Sequence, residues 1–178
     1  MYFGLSEEQQ FFQESIDKFL EDTVTVDALR SYRTGEDDNL INDVFNGLNE
    51  LGLSGLIIPE EYGGLGLDSL FAISVSESLG KGVAPYPFIG SFLIAPFLIN
   101  KLGSDSQKQK YLPSIANGEY RFAVALTEMT GRRIEKGIQS SKQKLSGQSL
   151  FVMDDIHSTH YLILDSDDLC PNEDARNF

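Results

Sequence analysis

The side chains whose types and spacing could support chemistry are few along this chain of 178 residues. His157 and His160 lie three residues apart, but a zinc site needs three or four protein ligands and no further clear ligand stands nearby. Gly63, Gly64 and Gly66 make a glycine-rich stretch, yet no Lys-Ser/Thr pair follows it, as a phosphate-binding loop requires. We therefore predict no metal site, and we interpret the glycines as a tight turn that needs positive φ.

Charge is distributed unevenly, and its pattern restricts the class of ligand. The whole chain has a formal net charge of −13, and residues 1–61 carry 14 acidic and 3 basic side chains. Such a balance excludes nucleic acid as the main ligand, because that function needs a dominant basic surface. Residues 101–146 carry 9 basic and 4 acidic side chains. Lys108, Lys110, Arg132 and Arg133 could attract the phosphates of a small molecule, and the alternative is a solvated helix face.

Helical periodicity and capping signals dominate the first two thirds of the chain. Ser6 with Gln9, and Ser104 with Gln107, have capping-box spacing, and apolar residues recur at helical intervals between them. Four or five helices are expected between residue 5 and about residue 118. We expect a loop over the polar residues 30–38, and a short helix over residues 107–112 that ends at Pro113.

After Gly118 the pattern changes to that of strands. Residues 122–126 alternate apolar with smaller side chains, and residues 150–153 and 160–164 are short apolar runs that suit strands. Thr127 follows the first strand, at a position where strand ends and loops often meet ligands. The fold class is therefore α+β, with a helical domain at 1–119, a partial β-domain at 120–178 and a frayed acidic tail. So few strands are marginally stable by themselves, which predicts an oligomer.

Compartment and membrane association follow from three simple observations. Cys170 is the only cysteine, so no internal disulfide framework forms, which fits a reducing compartment. The longest apolar run, residues 92–99, is much shorter than the ~20 residues of a membrane span. Glu7 and Glu8 stand where a signal peptide would carry basic residues. We predict a soluble, cytoplasmic protein without a membrane span.

Several sequence blocks resemble the acyl-CoA dehydrogenase family and occur in that family's order. Residues 5–9 read LSEEQ, residues 51–67 read LGLSGLIIPEEYGGLGL, and residues 103–113 read GSDSQKQKYLP. Residues 115–119 then read IANGE and residues 125–128 read ALTE. The family's architecture, an N-terminal helical domain followed by a β-domain, agrees with the pattern that the residues themselves predict.

The resemblance implies a flavoenzyme that converts an acyl-CoA to a 2-enoyl-CoA. FAD would accept a hydride, which side chains cannot do, and an electron-transfer flavoprotein would take the electrons. By the family pattern, Leu126 and Thr127 would contact the flavin ring with backbone and hydroxyl groups. Phe151 matches an aromatic residue that packs on the flavin, whereas Met153 replaces a threonine and cannot donate the same hydrogen bond. CoA phosphates are candidate ligands of the basic stretch, as stated above.

Departures from the family pattern leave two hypotheses about activity. Residues 129–136 read MTGRRIEK, where the family has a proline and a Gly-Ala-Gly-Ser-Asp-like loop, so Arg132 and Arg133 become candidate substrate-binding residues. The family's catalytic glutamate belongs to a C-terminal helical domain beyond residue 178, so no catalytic residue is assigned. The chain is then a truncated dehydrogenase or subunit, inactive by itself, in a homo- or hetero-oligomer with a longer chain. Alternatively, it is a non-catalytic subunit that docks on a complete dehydrogenase. An apolar-ligand module around residues 88–97 is a further alternative, against plain core packing.

Overall fold

Capping side chains in the sequence define where several helices begin. The computed structural model describes residues 4–36, 39–126, 138–141 and 144–163. Ser6 and Ser104 form complete capping boxes with Gln9 and Gln107, as the sequence predicts. Asp68 accepts hydrogen bonds from two amides of the helix that follows it. The α-helices of the described residues are α1 (Glu7–Thr23), α2 (Val26–Thr34), α3 (Leu40–Glu50), α4 (Ser69–Lys81), α5 (Ala95–Leu102) and α6 (Asp105–Ala116). Short 3₁₀ turns span Leu53–Gly55 and Glu60–Tyr62, and a π-helix spans Phe88–Ile94 directly before α5.

Two helix boundaries differ from the sequence expectation. Residues 30–34 belong to α2 and not to a loop, because the Thr25 hydroxyl caps the helix by accepting from Ala28 N, and Gly35 ends it at φ 75°. Pro113 lies inside α6 and does not end it. A helical proline removes one hydrogen bond, but Leu112 and Ile115, both fully buried, fix the last turn against the core.

The hydrophobic core is one cluster that extends from the helices into the first strand. It buries apolar side chains of α1, α3, α4, α6 and the π-helix together with Phe122 and Val124. Phe88 and Phe92 are 3% and 0% exposed in this cluster, which supports plain core packing over an apolar-ligand module at residues 88–97. No helix in the described part of the chain is long and apolar enough to cross a membrane.

Two small sheets follow the helices. Strand β1 (Phe122–Ala125) pairs in parallel with β4 (His160–Ile163), and β2 (Gln139–Ser141) pairs antiparallel with β3 (Lys144–Ser146). The expected strand over residues 150–153 is wrong except for Met153, which forms an isolated antiparallel bridge with Val124. Phe151 and Asp154 both have φ of 56°, a left-handed conformation that a strand cannot contain. The described residues are thus mostly helical with few strands, as the sequence predicts.

Candidate functional site

Met153 is held beside β1 by a reciprocal pair of backbone hydrogen bonds. Val124 N donates to Met153 O at 2.9 Å, and Met153 N donates to Val124 O at 3.0 Å. On its other side Val124 is the parallel partner of Leu162. Strand β1 therefore lies between β4 and the backbone of Met153, and all four of its residues are buried.

Of two further residues that the sequence singled out, Leu126 lies at the carboxyl end of β1 and Phe151 lies outside the ladder. Leu126 follows the strand directly and packs against the core. In an antiparallel register set by Val124 and Met153, Phe151 would stand opposite Leu126. Its positive φ takes Phe151 out of that ladder, and its side chain is 83% exposed. The structure thus pairs Met153 with the middle of β1 and leaves the ring of Phe151, two residues earlier, open to solvent.

The π-helix Phe88–Ile94 fixes this edge from the helical side. The hydroxyl of Ser91, fully buried, accepts a hydrogen bond of 2.6 Å from Phe122 N. Asp154 Oδ2 accepts from Gly90 N at 2.6 Å and from Ser91 N at 3.0 Å, near the start of that helix. A carboxylate at the positive end of a helix is favourable. A side chain added at Gly90 would collide with Asp154, so the close approach depends on that glycine.

Sequence reasoning missed Ser91 and Asp154, and no local signal could have found them. Their partners are 31 and 63–64 residues away along the chain. A serine within an apolar helix and an aspartate after a short apolar run are both common on protein surfaces. Only the tertiary contact shows that they connect the helical region to the strands.

The described residues fit a flavin at this edge in two respects and differ from the family pattern in one. Phe151 offers an exposed aromatic ring on which a planar ring system could pack, and Leu126 adds an apolar side chain. Both backbone hydrogen-bonding groups of Met153 pair with Val124, and its thioether can only accept weakly. Thr127, Arg132 and Arg133 lie outside the described residues, as does Glu128.

The glycine stretch is a tight turn, as the sequence predicts. Gly63 and Gly66 have φ of 81° and 62°, and Gly64 lies directly against the backbone carbonyl of Ile58. Every amide from residue 63 to residue 67 donates to a nearby carbonyl, which includes Gly66 N to Ile58 O at 2.8 Å. No amide of this turn is left over to bind a phosphate.

The two histidines occupy different environments. The His160 ring stacks with Phe122 and Tyr120, with ring centroids 5.2 and 4.1 Å apart, and its Nδ1 lies 2.9 Å from the Thr159 hydroxyl. His157 lies in the turn before β4, where its backbone has a positive φ of 64°. No cluster of three or more potential metal ligands occurs in residues 4–36, 39–126, 138–141 and 144–163.

The chain is similar to one class of known proteins. The family model described as acyl-CoA dehydrogenase, N-terminal domain, matches residues 6–119, more than half of the chain. A mitochondrial isovaleryl-CoA dehydrogenase of Pongo abelii is 33% identical over 129 residues, which is 70% of this chain and 30% of that protein. The chain belongs to the acyl-CoA dehydrogenase family, and it spans less than a third of this relative's length.

Solved structures show the same fold. An acyl-CoA dehydrogenase complexed with FAD from Bacillus anthracis superposes with a TM-score of 0.74 at 24% identity, over 90% of this chain and 29% of that one. A chain of the ChsE4-ChsE5 complex from Mycobacterium tuberculosis superposes with a TM-score of 0.78 at 23% identity, over 93% and 45%. Identities this low support the architecture, which is an N-terminal helical region followed by part of a β-domain.

Proposed function

We propose that this chain is part of an FAD-dependent acyl-CoA dehydrogenase that converts an acyl-CoA to a 2-enoyl-CoA. The observation that carries the proposal is the match of residues 6–119 to the N-terminal domain of the acyl-CoA dehydrogenases, and the exposed ring of Phe151 supports it. FAD supplies the hydride acceptor, and the electrons pass to an electron-transfer flavoprotein. The proposal divides the chain at residue 119 into helical and β parts, and it assigns the protein to the cytoplasm although the reported relative is mitochondrial.

Each candidate residue has a role that follows from its chemistry. Phe151 packs against the flavin, and Leu126 together with Thr127 contacts the ring through backbone and hydroxyl groups. Arg132 and Arg133 attract the phosphates of CoA by charge. No residue of this chain is assigned as the base that removes a proton from the substrate. We therefore propose that the base comes from another part of the protein or from a longer partner subunit, and that residues 1–178 are inactive by themselves.

A non-catalytic subunit is the second candidate, and Met153 is the observation that favours it. A thioether in place of a hydroxyl removes a hydrogen-bond donor from the edge where the flavin would bind. The structural neighbour from Mycobacterium tuberculosis is a complex of two named components, which is a precedent for a mixed assembly. In this case the chain would dock on a complete dehydrogenase and shape its site without holding FAD itself.

Flavin content of the purified protein separates these candidates. The chain is purified with and without a co-expressed full-length acyl-CoA dehydrogenase, and visible flavin absorbance is measured per chain. Flavin bound to the isolated chain, or at one per subunit in a mixed assembly, supports the flavoprotein. A mixed assembly in which only the longer subunit holds flavin supports the non-catalytic subunit.

Two substitutions at Met153 sharpen the result. Met153→Thr restores a hydroxyl donor, so we expect tighter flavin retention and a shifted flavin spectrum. Met153→Leu keeps the apolar volume and is the matched control, for which we expect no change. If both variants behave like the wild type, Met153 does not face the flavin.

The role of the arginines is tested separately with CoA. Arg132→Gln combined with Arg133→Gln should weaken CoA binding about 2- to 30-fold at low salt, because ion pairs on a protein surface typically contribute about 0.2–1 kcal/mol each. The loss should shrink at high salt, since screening weakens exposed charges. Lys144→Gln, on the exposed strand β3, is the control. An affinity for CoA that is unchanged at low salt rejects the assignment.

A further inference from the structure

A cavity of about 420 Å³ lies where the helical region meets the segment before β4. Its walls come from α2, α3, the segment 85–87 and the segment 152–157, and they are largely apolar, with Ile41, Phe45 and Tyr86 among them. The Tyr86 hydroxyl donates to Asn49 Oδ1 at 2.6 Å, and burial raises the pKa of this phenol well above its ordinary value. The Tyr86 side chain is therefore uncharged at neutral pH. Small-molecule sites typically measure about 300–1,000 Å³, so the volume suits a ligand of moderate size.

Arg121 brings a permanent positive charge to this apolar cavity. Its guanidinium carbon lies 4.5 Å from the centre of the Phe45 ring, in cation–π geometry. Its Nε is buried, and no acceptor in the described residues bonds to it. An arginine cannot lose its proton to relieve this situation, and an unpaired buried donor typically costs about 1–3 kcal/mol. Burial closes Nε to a ligand as well, but Arg121 lines the cavity, so a ligand oxygen there would accept from the terminal nitrogens of its guanidinium.

The two carboxylates that line the cavity are occupied elsewhere. Asp154 Oδ2 accepts from the amides of Gly90 and Ser91, as described above. Asp155 Oδ1 accepts from the Tyr161 hydroxyl at 2.6 Å. Neither forms an ion pair with the arginine in the part of the chain that the structure describes. The guanidinium is thus the polar group in the cavity that still needs a partner.

We infer that this cavity binds a small apolar carboxylate, whose body packs against Phe45 and Tyr86 and whose carboxylate accepts from Arg121. A carboxylate would accept from the terminal nitrogens of the guanidinium and pair with its positive charge. The positive charge of Arg121 disfavours an organic amine. The two nearby aspartates repel a doubly charged phosphate more strongly than a singly charged carboxylate. Aromatic walls favour a ligand with a ring or a branched apolar body.

This cavity adjoins the edge proposed for the flavin, since Val152 and Asp154 flank Met153, but its arginine lies at the other end of β1. Arg121 precedes β1 and Leu126 follows it, so the whole strand separates them. At about 3.3 Å per residue, five steps place the two Cα atoms about 16 Å apart. The inference therefore does not depend on flavin binding, and either proposal can fail without the other.

Titration of the full chain with 3-phenylpropionate, and with its neutral amide 3-phenylpropanamide, tests the inference. For a ligand of this size we expect a Kd of about 0.1–1 mM for the acid, and binding at least about tenfold weaker for the amide. The NMR signal of the Arg121 Nε–H should shift with the acid. Equal affinities for acid and amide, or no binding of the acid at about ten times the expected Kd, overturn the inference.

Charge variants locate the binding in this cavity. Arg121→Gln should abolish the preference for the acid, while Arg121→Lys should keep part of it because the positive charge remains. Asp155→Asn removes a nearby negative charge and should strengthen acid binding without affecting the amide. The inference is also overturned if Arg121→Gln binds the acid as tightly as the wild type does and has the same thermal midpoint.

Discussion

Ser91→Ala should destabilise the protein far more than the loss of one hydroxyl on a helix usually does. Ser91 is fully buried, and its Oγ accepts a hydrogen bond of 2.6 Å from the amide of Phe122, the first residue of β1. Alanine would leave this amide in the interior without its acceptor. An unsatisfied buried donor costs about 1–3 kcal/mol, because it has lost water and gained nothing.

The expected loss is large enough to measure by ordinary unfolding experiments. For a chain of this size, each kcal/mol changes the midpoint by about 2–4 °C, so a loss of about 1–3 kcal/mol should lower the midpoint of Ser91→Ala by about 2–12 °C. Thermal and urea unfolding are followed by circular dichroism. Hydrogen exchange of the Phe122 amide should accelerate as well, since the bond that protects it is gone.

A second helical serine provides the matched control. Ser76 lies in α4, and its hydroxyl donates at 2.8 Å to the carbonyl of Ala72, one turn earlier. That carbonyl already belongs to the helix, so Ser76→Ala should change stability by less than about 0.5 kcal/mol. If Ser91→Ala costs no more than this control, the Ser91 bond does not hold β1 against the helical region.

Two further predictions concern the glycine turn and the ion pair between α1 and α4. Gly64→Ala would push a methyl group into the Ile58 carbonyl and should cost about 3 kcal/mol or more in urea unfolding, whereas Gly63→Ala, at φ 81° in open space, should cost only about 1–2 kcal/mol. Equal costs would contradict the packing argument. Burial raises the pKa of Asp17, but the hydrogen bond and charge of Lys81, 2.7 Å away, outweigh this and hold that pKa below its ordinary value. The stabilisation is therefore present at neutral pH and lost as the pH falls through the folded pKa, so Asp17→Asn should cost about 0.2–1 kcal/mol at pH 7 and progressively less in acid. If Asp17→Asn lowers the free energy of unfolding by the same amount at pH 7 and in acid, the ion pair with Lys81 does not stabilise the protein.

Local signals predicted the helix starts and the core faces well. Capping boxes at Ser6 and Ser104 are short-range interactions, complete within four residues, and the structure forms both. The expected loop over residues 30–38 was wrong up to Thr34, because a helix with no buried residue has only a weak apolar pattern. Pro113 was misleading in the same way: its local effect ends a helix, but the burial of its neighbours keeps the last turn.

For the candidate site, too, local signals predicted some features and tertiary contacts decided others. The strand pattern at residues 122–126 and the family's sequence blocks direct attention to Leu126 and Phe151; the structure places Leu126 directly after β1 and leaves Phe151 exposed outside the ladder. It does not make residues 150–153 a strand, because the backbone turns at Phe151 and Asp154 to reach the π-helix. Those turns depend on contacts with amides more than sixty residues earlier, which no local window contains.

The amino-acid sequence by itself determined the helical first part and the change to strands, since both follow from periodicity and capping within a few residues, and its sequence blocks carry the resemblance to the family. The tertiary structure alone decided that Ser91 and Asp154 connect the two parts, and that Arg121 enters an apolar cavity with an unpaired Nε. The physical reason is that hydrogen bonds and burial of this kind join residues remote in sequence. Their energies depend on desolvation and geometry that exist only once the chain has folded.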